Sequence, residues 1–178
     1  MGCGPSKGCP EPGLEHTNLH DLECEFTSGR RAFAKEDYQK AAHFWDAVLR
    51  STPVTKREEG IVALAHGTLG YLFYNGLGVE KDTRRALELY EKGVKLGDTE
   101  SRTHLADAYL DQNNSFYDEV TAYAWYASVD RYKHESLPEY EEIEKKIIAR
   151  ANETAKTLKS RLKPDQLKRA ERLLNEMK

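Results

Sequence analysis

Cysteine is absent from residue 25 onward: all three cysteines, Cys3, Cys9 and Cys24, fall in the first 24 positions. No disulfide can therefore staple the body of the 178-residue chain, which must fold on a core of its own, and a chain of this length can bury one. Proline is scarce there too, with only Pro53, Pro138 and Pro164 beyond the first twelve residues. No run of 18 apolar residues exists, so no transmembrane helix is expected. No stretch alternates apolar and polar residues for long enough to suggest a β-strand. Apolar residues make up only 39% and charged residues 32%, a balance that suits helices with a long solvated surface. Neither sign of charge dominates, since 27 Lys and Arg face 30 Asp and Glu. A strongly basic nucleic-acid binder is thereby disfavoured, and no nucleic-acid partner is expected.

Signatures of chemistry are missing as well. There is no Gly-x-Ser-x-Gly elbow, no P-loop and no His-Glu-x-x-His. Gly76-x-Gly78 follows a helical pattern rather than a strand, so it is no dinucleotide fingerprint. None of the six histidines stands in a recognisable pairing with a nucleophile. His16, His20 and Cys24 fall at i, i+4 and i+8, which would share one helix face, but Cys9 is the one nearby candidate for a fourth ligand. No catalytic residue, small-molecule cofactor or metal site is expected.

What is present begins with a tether. Residues 1–13 contain seven Gly or Pro, too many breakers for a helix or a central strand. Residues 1–18 are therefore expected to form a flexible amino-terminal arm. Cys3 within it has two functional readings beside that of an unmodified tail. A Gly-Cys junction followed by Gly, Pro and Ser resembles the mature start of a bacterial lipoprotein, with Cys3 as the lipidation site and the apolar signal removed. Alternatively, Gly2 with Ser6 fits the myristoylation pattern, with Cys3 available for palmitate, and two lipids together give stable anchoring. In an oxidising compartment Cys9 and Cys24 can pair as a disulfide.

From residue 19 onward the apolar positions recur with helical period. The segments predicted as helices are 19–34, 37–51, 57–75, 82–96, 99–112, 118–133, 137–161 and 164–177. Breakers set the ends: Thr52-Pro53 after the second, Gly76 and Gly78 after the third, Gly97 after the fourth, Asp111 to Asn114 after the fifth. Ser136-x-x-Glu139 reads as a capping box and Pro164 as a helix start. Laid on itself with a shift of 36, the chain places Leu69 on Leu105, Phe73 on Tyr109, Ala86 on Ala122, Leu89 on Trp125 and Tyr90 on Tyr126. A period in the mid-thirties with two helices per period marks an α-solenoid, in which neither helix pair buries its apolar face alone. The tail carries two further stripes. One runs through Tyr140, Ile143, Ile147, Ala151, Ala155, Leu158 and Leu162 as a single buried face, and the other through Leu167, Ala170, Leu173, Leu174 and Met177. The predicted fold is all-α: an α/α superhelix of helix hairpins over residues 19–136, followed by carboxy-terminal capping helices over 137–178.

The run Ala65-x-x-x-Leu69-Gly70-x-x-Phe73-Tyr74-Asn75-Gly76-x-Gly78-Val79-x-x-Asp82-x-x-x-Ala86-x-x-x-Tyr90-x-Lys92-x-x-x-x-Gly97 resembles a Sel1-like repeat, a TPR-like helix hairpin. It departs from the family pattern at Leu89, where Trp is usual, and at Gly93-Val94, where Ala-Ala is usual. The next unit, 101–132, keeps Leu105, Tyr109, Ala122, Trp125 and Tyr126 but carries Asn113-Asn114-Ser115-Phe116 in place of the Gly-x-Gly turn. Residues 29–50 resemble a degenerate first unit. The two closing helices resemble those of bacterial members of the family.

The resemblance implies a non-enzymatic module that binds another protein or a peptide, an adaptor or scaffold in the bacterial cell envelope or in signalling. With the lipoprotein-like start at Cys3, the expected protein is periplasmic and lipid-anchored, with a cytoplasmic one as the alternative. Some proteins resembling the family are lipoprotein immunity proteins that neutralise a secreted toxic lipase, and some have been proposed as hydrolases of β-lactams. A solenoid offers a groove lined by the first helix of each hairpin. Its non-packing positions are His66, Thr68, Tyr71 and Asn75, with register mates Arg102, His104, Asp107 and Asp111. The partner-binding candidates are Tyr71, Asn75, His104, Asp107 and Asp111, an aromatic flanked by acids, which suits a basic peptide or a protein loop.

Overall fold

A computed structural model describes residues 20–130 and 137–177. In chain order the helices are α1 (His20–Ala34), α2 (Tyr38–Arg50), α3 (Lys56–Asn75), α4 (Thr83–Lys95), α5 (Thr99–Leu110) and α6 (Glu119–Ser128). A 3₁₀ turn (Pro138–Tyr140) then leads into α7 (Glu141–Lys159) and α8 (Pro164–Glu176). No strand occurs among the described residues. The fold is the all-α superhelix expected: hairpins α1/α2, α3/α4 and α5/α6 stack in a row, and α7 and α8 close against α6.

Local chemistry sets the ends of each helix. The second helix of every hairpin starts on an aspartate whose carboxylate accepts from a backbone N–H of the first turn: Asp37 from Lys40, Asp82 from Arg85 and Asp118 from Val120. Gly76 takes the left-handed conformation that ends α3, and Gly97 does the same beyond α4. The second unit closes its loop without the Gly-x-Gly turn. The Asp118 N–H donates to the Tyr109 carbonyl at 2.9 Å, as Asp82 N–H donates to Phe73 O at 2.9 Å one repeat earlier. Asn114 supplies the difference, its amide nitrogen donating to Ala108 O and to the Tyr74 hydroxyl. Ser136, the start of the capping box expected there, lies outside the described residues. The 3₁₀ turn is preceded by Leu137, with no side-chain cap, and Glu139 pairs with Arg57. A capping box does form at α3, where Glu58, buried, accepts from the N–H groups of Val54 and Thr55 while Thr55 accepts from Glu58 N–H.

Repeat mates occupy matching surroundings. Leu69 and Leu105, Ala86 and Ala122, and Tyr90 and Tyr126 are each at most 2% exposed. Tyr90 lies on the backbone of α3 at Gly70, where any Cβ would sit 2.7 Å from the ring. The unusual Gly93 is explained in the same way: a Cβ there would meet the Ser101 hydroxyl and the Ala63 carbonyl, so the α4–α5 crossing is closer than an Ala-Ala pair permits. One core runs from α1 to α5, a second from α5 to α7, and Trp125 packs against both.

The tail departs from the single buried stripe expected of it. Ala151, Ala155, Leu158 and Leu162 are buried, but Ile143 is 47% exposed. The reason is length. At about 1.5 Å per residue, α7 is nearly twice as long as α6, so its first half overhangs the last hairpin and reaches back across α5 to α3. Arg57 of α3 fixes that overhang by gripping Glu23 of α1 and Glu139 of the 3₁₀ turn at 2.7 and 2.6 Å. All three side chains are about half exposed, so Arg57→Ala is expected to cost about 1 kcal/mol and to lower the melting temperature by about 3 °C. Calorimetry of the variant checks this, and an unchanged midpoint would remove the clamp.

Candidate functional site

The first helices of the three hairpins share one face, and the overhang of α7 walls it at one side. Between them lies a cleft of about 420 Å³. Its floor is Phe26 and Trp45, both nearly inaccessible, with the indole N–H of Trp45 donating to Phe26 O. From α1 come Arg30 and Phe33, from α3 Leu64, Thr68 and Tyr71, from α5 Glu100 and His104, and from the overhang Tyr140 and Ile143. A smaller cavity continues along α3 and α5 beneath Leu137, Ile143 and Ile147. Leu64, Glu100, Tyr140 and Ile143 line both, so the overhang divides what would otherwise be one open groove.

The structure divides the five partner-binding candidates. Tyr71 and His104 meet in the cleft, with ring centroids 5.6 Å apart, and Tyr71 is 37% exposed. His104 is held between Tyr71 and Tyr90, the latter 5.0 Å away. The other three do not line the cleft. Asn75 donates to Tyr71 O. Asp107 accepts from the Tyr126 hydroxyl and from Arg150 at 3.2 Å. Asp111 accepts from the Tyr74 hydroxyl at 2.9 Å and from the backbone and side chain of Asn113. Arg102, expected on the groove, is 3% exposed and buried. Sequence spacing did not single out Phe33, Arg30, Tyr140 or Ile143. The α7 stripe contained Tyr140 and Ile143, but nothing local shows that the helix folds back over α3.

Cys3, Cys9 and His16 lie outside the described residues, so the lipidation of Cys3 and the pairing of Cys9 with Cys24 stay expectations. Cys24 is buried and disulfide-bonded.

The cleft holds an opposed titrating pair. Burial against the aromatic rings pushes His104 down to about 4, so it is neutral at neutral pH. Burial, reinforced by the neighbouring Asp98 carboxylate, pushes Glu100 up to about 7. His66, also desolvated, lies at about 4. The two signs work against each other. Between pH 6.5 and 4 the unfolded chain protonates His104 and His66 while the folded chain does not, so stability falls with acid. Between pH 7 and 4.5 the folded chain holds a proton on Glu100 that the unfolded chain has released, so stability rises with acid. Glu100→Gln removes the second effect. Because the Glu100 side chain is 44% exposed, the full shift is screened, and the variant is expected to lose about 1 kcal/mol more than the parent between pH 7 and pH 5. Urea unfolding at both pH values measures it, and parallel losses would contradict it.

A model of the Sel1 repeat family matches residues 63–98 and 99–128, which are α3 with α4 and α5 with most of α6. Among solved structures, a crystal structure of a protective antigen present in uropathogenic Escherichia coli strains, displaying an SLR fold, aligns with a TM-score of 0.67 at 20% identity. The alignment covers 88% of this chain and 30% of that one, so the chain spans under a third of the antigen's length, and the likeness is one of fold. No curated protein sequence matches. Sel1-like repeat proteins are generally protein-interaction modules. Two Sel1 repeats are thus present in this chain, each a helix hairpin of the superhelix.

Proposed function

We propose that the protein is a non-enzymatic interaction module whose partner is another protein, engaged through the cleft between α1, α3, α5 and the α7 overhang. The observation that carries this reading is the exposure of Tyr71 and Ile143 on opposite walls of an apolar cleft. Large apolar side chains grouped in a concavity mark contact surfaces, because water is expelled from them on binding. The cleft's polar groups support a binding role over a chemical one. The Thr68 hydroxyl donates to Leu64 O, and Glu100 stands 3.9 Å from a neutral His104.

The setting in this reading is the cell envelope, with an acyl chain on Cys3. A disulfide at Cys24 supports an oxidising compartment. Mass spectrometry of the native amino terminus tests the anchor, and an unacylated Cys3 would remove it.

A photo-crosslinking side chain placed at Tyr71 or Ile143 tests the surface. Either position is expected to capture one or two defined proteins that the same group at Glu88, exposed on α4, does not capture. Identical capture from both faces would overturn the reading.

A further inference from the structure

The acids expected to draw a basic partner are withdrawn from the cleft. Asp107 is held by Arg150 and Tyr126, and Asp111 by Tyr74 and Asn113. What the cleft does present is Arg30. Its guanidinium donates to the Tyr140 hydroxyl at 2.8 Å, which holds it at the rim. No carboxylate among the described residues forms an ion pair with it; Glu139, which feels its charge, is taken by Arg57. The remaining acid of the lining, Glu100, faces His104 on its own helix, with Asp98, Glu144 and Arg150 around it.

Resting on the reading of the cleft as a protein-binding site, we infer that its occupant is a loop tip that seats one aromatic or aliphatic side chain between Tyr71 and Ile143 and offers an adjacent Asp or Glu to Arg30. Two features select a loop tip. Tyr140 and Ile143 separate the cleft from the smaller cavity, so an extended strand cannot run on along α3 and α5. A loop enters and leaves by the same mouth. The charge is at the exposed rim and the floor is apolar, whereas a chain terminus would bring its carboxylate to the floor first. An acid flanking an apolar anchor meets both environments. The free donors of a planar guanidinium suit a carboxylate, and a charge-assisted bond at a half-open rim discriminates modestly.

The test uses the full chain and capped peptides, acetylated and amidated, that differ at one position: Ser-Phe-Asp-Ser, Ser-Phe-Asn-Ser and Ser-Phe-Lys-Ser. A fourth, Ser-Asp-Ser-Phe with a free carboxy terminus, represents a chain end. Chemical-shift titration of the Ile143 methyl and the Trp45 indole reads occupancy. The Asp peptide is expected to bind about 5-fold more tightly than the Asn peptide, with the Lys peptide weakest, and 0.5 M salt should erase most of the difference. Arg30→Gln should equalise the Asp and Asn peptides, and Arg30→Lys should keep part of the preference. Equal affinities in the parent, or a preference for Lys, overturn the acidic loop and leave the cleft reading intact. Tightest binding by the free-terminus peptide overturns the loop tip in favour of a chain end. No shift at either probe with any peptide overturns the cleft reading itself.

Discussion

Replacing Tyr90 by alanine is expected to cost about 4 kcal/mol, the loss typical of a fully buried aromatic truncated to a methyl. Tyr90 is 1% exposed and joins three helices. It belongs to α4, its ring edge rests on the α3 backbone at Gly70, and it faces His104 of α5 at 5.0 Å. Truncation empties the seam between the second and third hairpins. The glycine that made room for the ring then has no side chain of its own to fill the void. In a chain of this length the midpoint should fall by about 12 °C. Tyr90→Phe keeps the ring and should stay within about 1 kcal/mol of the parent, since it removes one hydroxyl and no packing. Calorimetry and urea unfolding decide the matter. A loss below about 1.5 kcal/mol for the alanine variant would mean that the hairpins do not lean on each other through this ring.

Such a joint was legible in the sequence because small and large residues recur together. Gly70 with Ala86 and Tyr90, and Ala106 with Ala122 and Tyr126, sit 36 residues apart and end in matching buried positions. Helix ends were legible where a backbone rule acts locally, as at Pro53, Gly76, Gly97 and Pro164. Extents were less exact: the sixth helix ends at Ser128 rather than running to 133, and a 3₁₀ turn over Pro138–Tyr140 precedes the seventh.

The site was less legible, for a reason that is geometric. Position along α3 and α5 told correctly that Tyr71 and His104 share a face. It could not show that Asp107 is claimed by Arg150, 43 residues on, or that Arg57 joins Glu23 and Glu139, 34 and 82 residues away. Ion pairs of that kind depend on how the last helix is laid across the stack. A helix stripe records which side is apolar but not what lies opposite it, so Tyr140 and Ile143 read as core when they form the cleft's outer wall.

Gly78→Ala is expected to cost about 3 kcal/mol, well beyond the effect of the same change at Gly76. The two glycines have nearly the same backbone, with φ of 67° and 69°. Conformational strain alone therefore predicts equal losses, about 1 kcal/mol each. Their neighbours differ. A Cβ at Gly76 would approach the Lys81 Cβ at 3.1 Å, a close contact that a shift of a few tenths of an ångström relieves. A Cβ at Gly78 would stand 2.3 Å from the Gln39 nitrogen and 2.4 Å from the Tyr38 carbonyl carbon, backbone atoms in the first turn of α2. The turn of the second hairpin is thus the seat on which α2 rests, and a methyl there must push α2 away. Gly76→Asn should be nearly neutral, because asparagine tolerates the left-handed region, whereas Gly78→Asn should be as damaging as alanine. Amide exchange in the first turn of α2 should accelerate in the Gly78 variants alone. Because α1 and α2 carry Phe26, Phe33 and Trp45 into the cleft, those variants should also weaken occupancy of the cleft, and the Gly76 variants should not. Equal losses at the two positions would show that only the left-handed turn matters and that the seat under α2 does not.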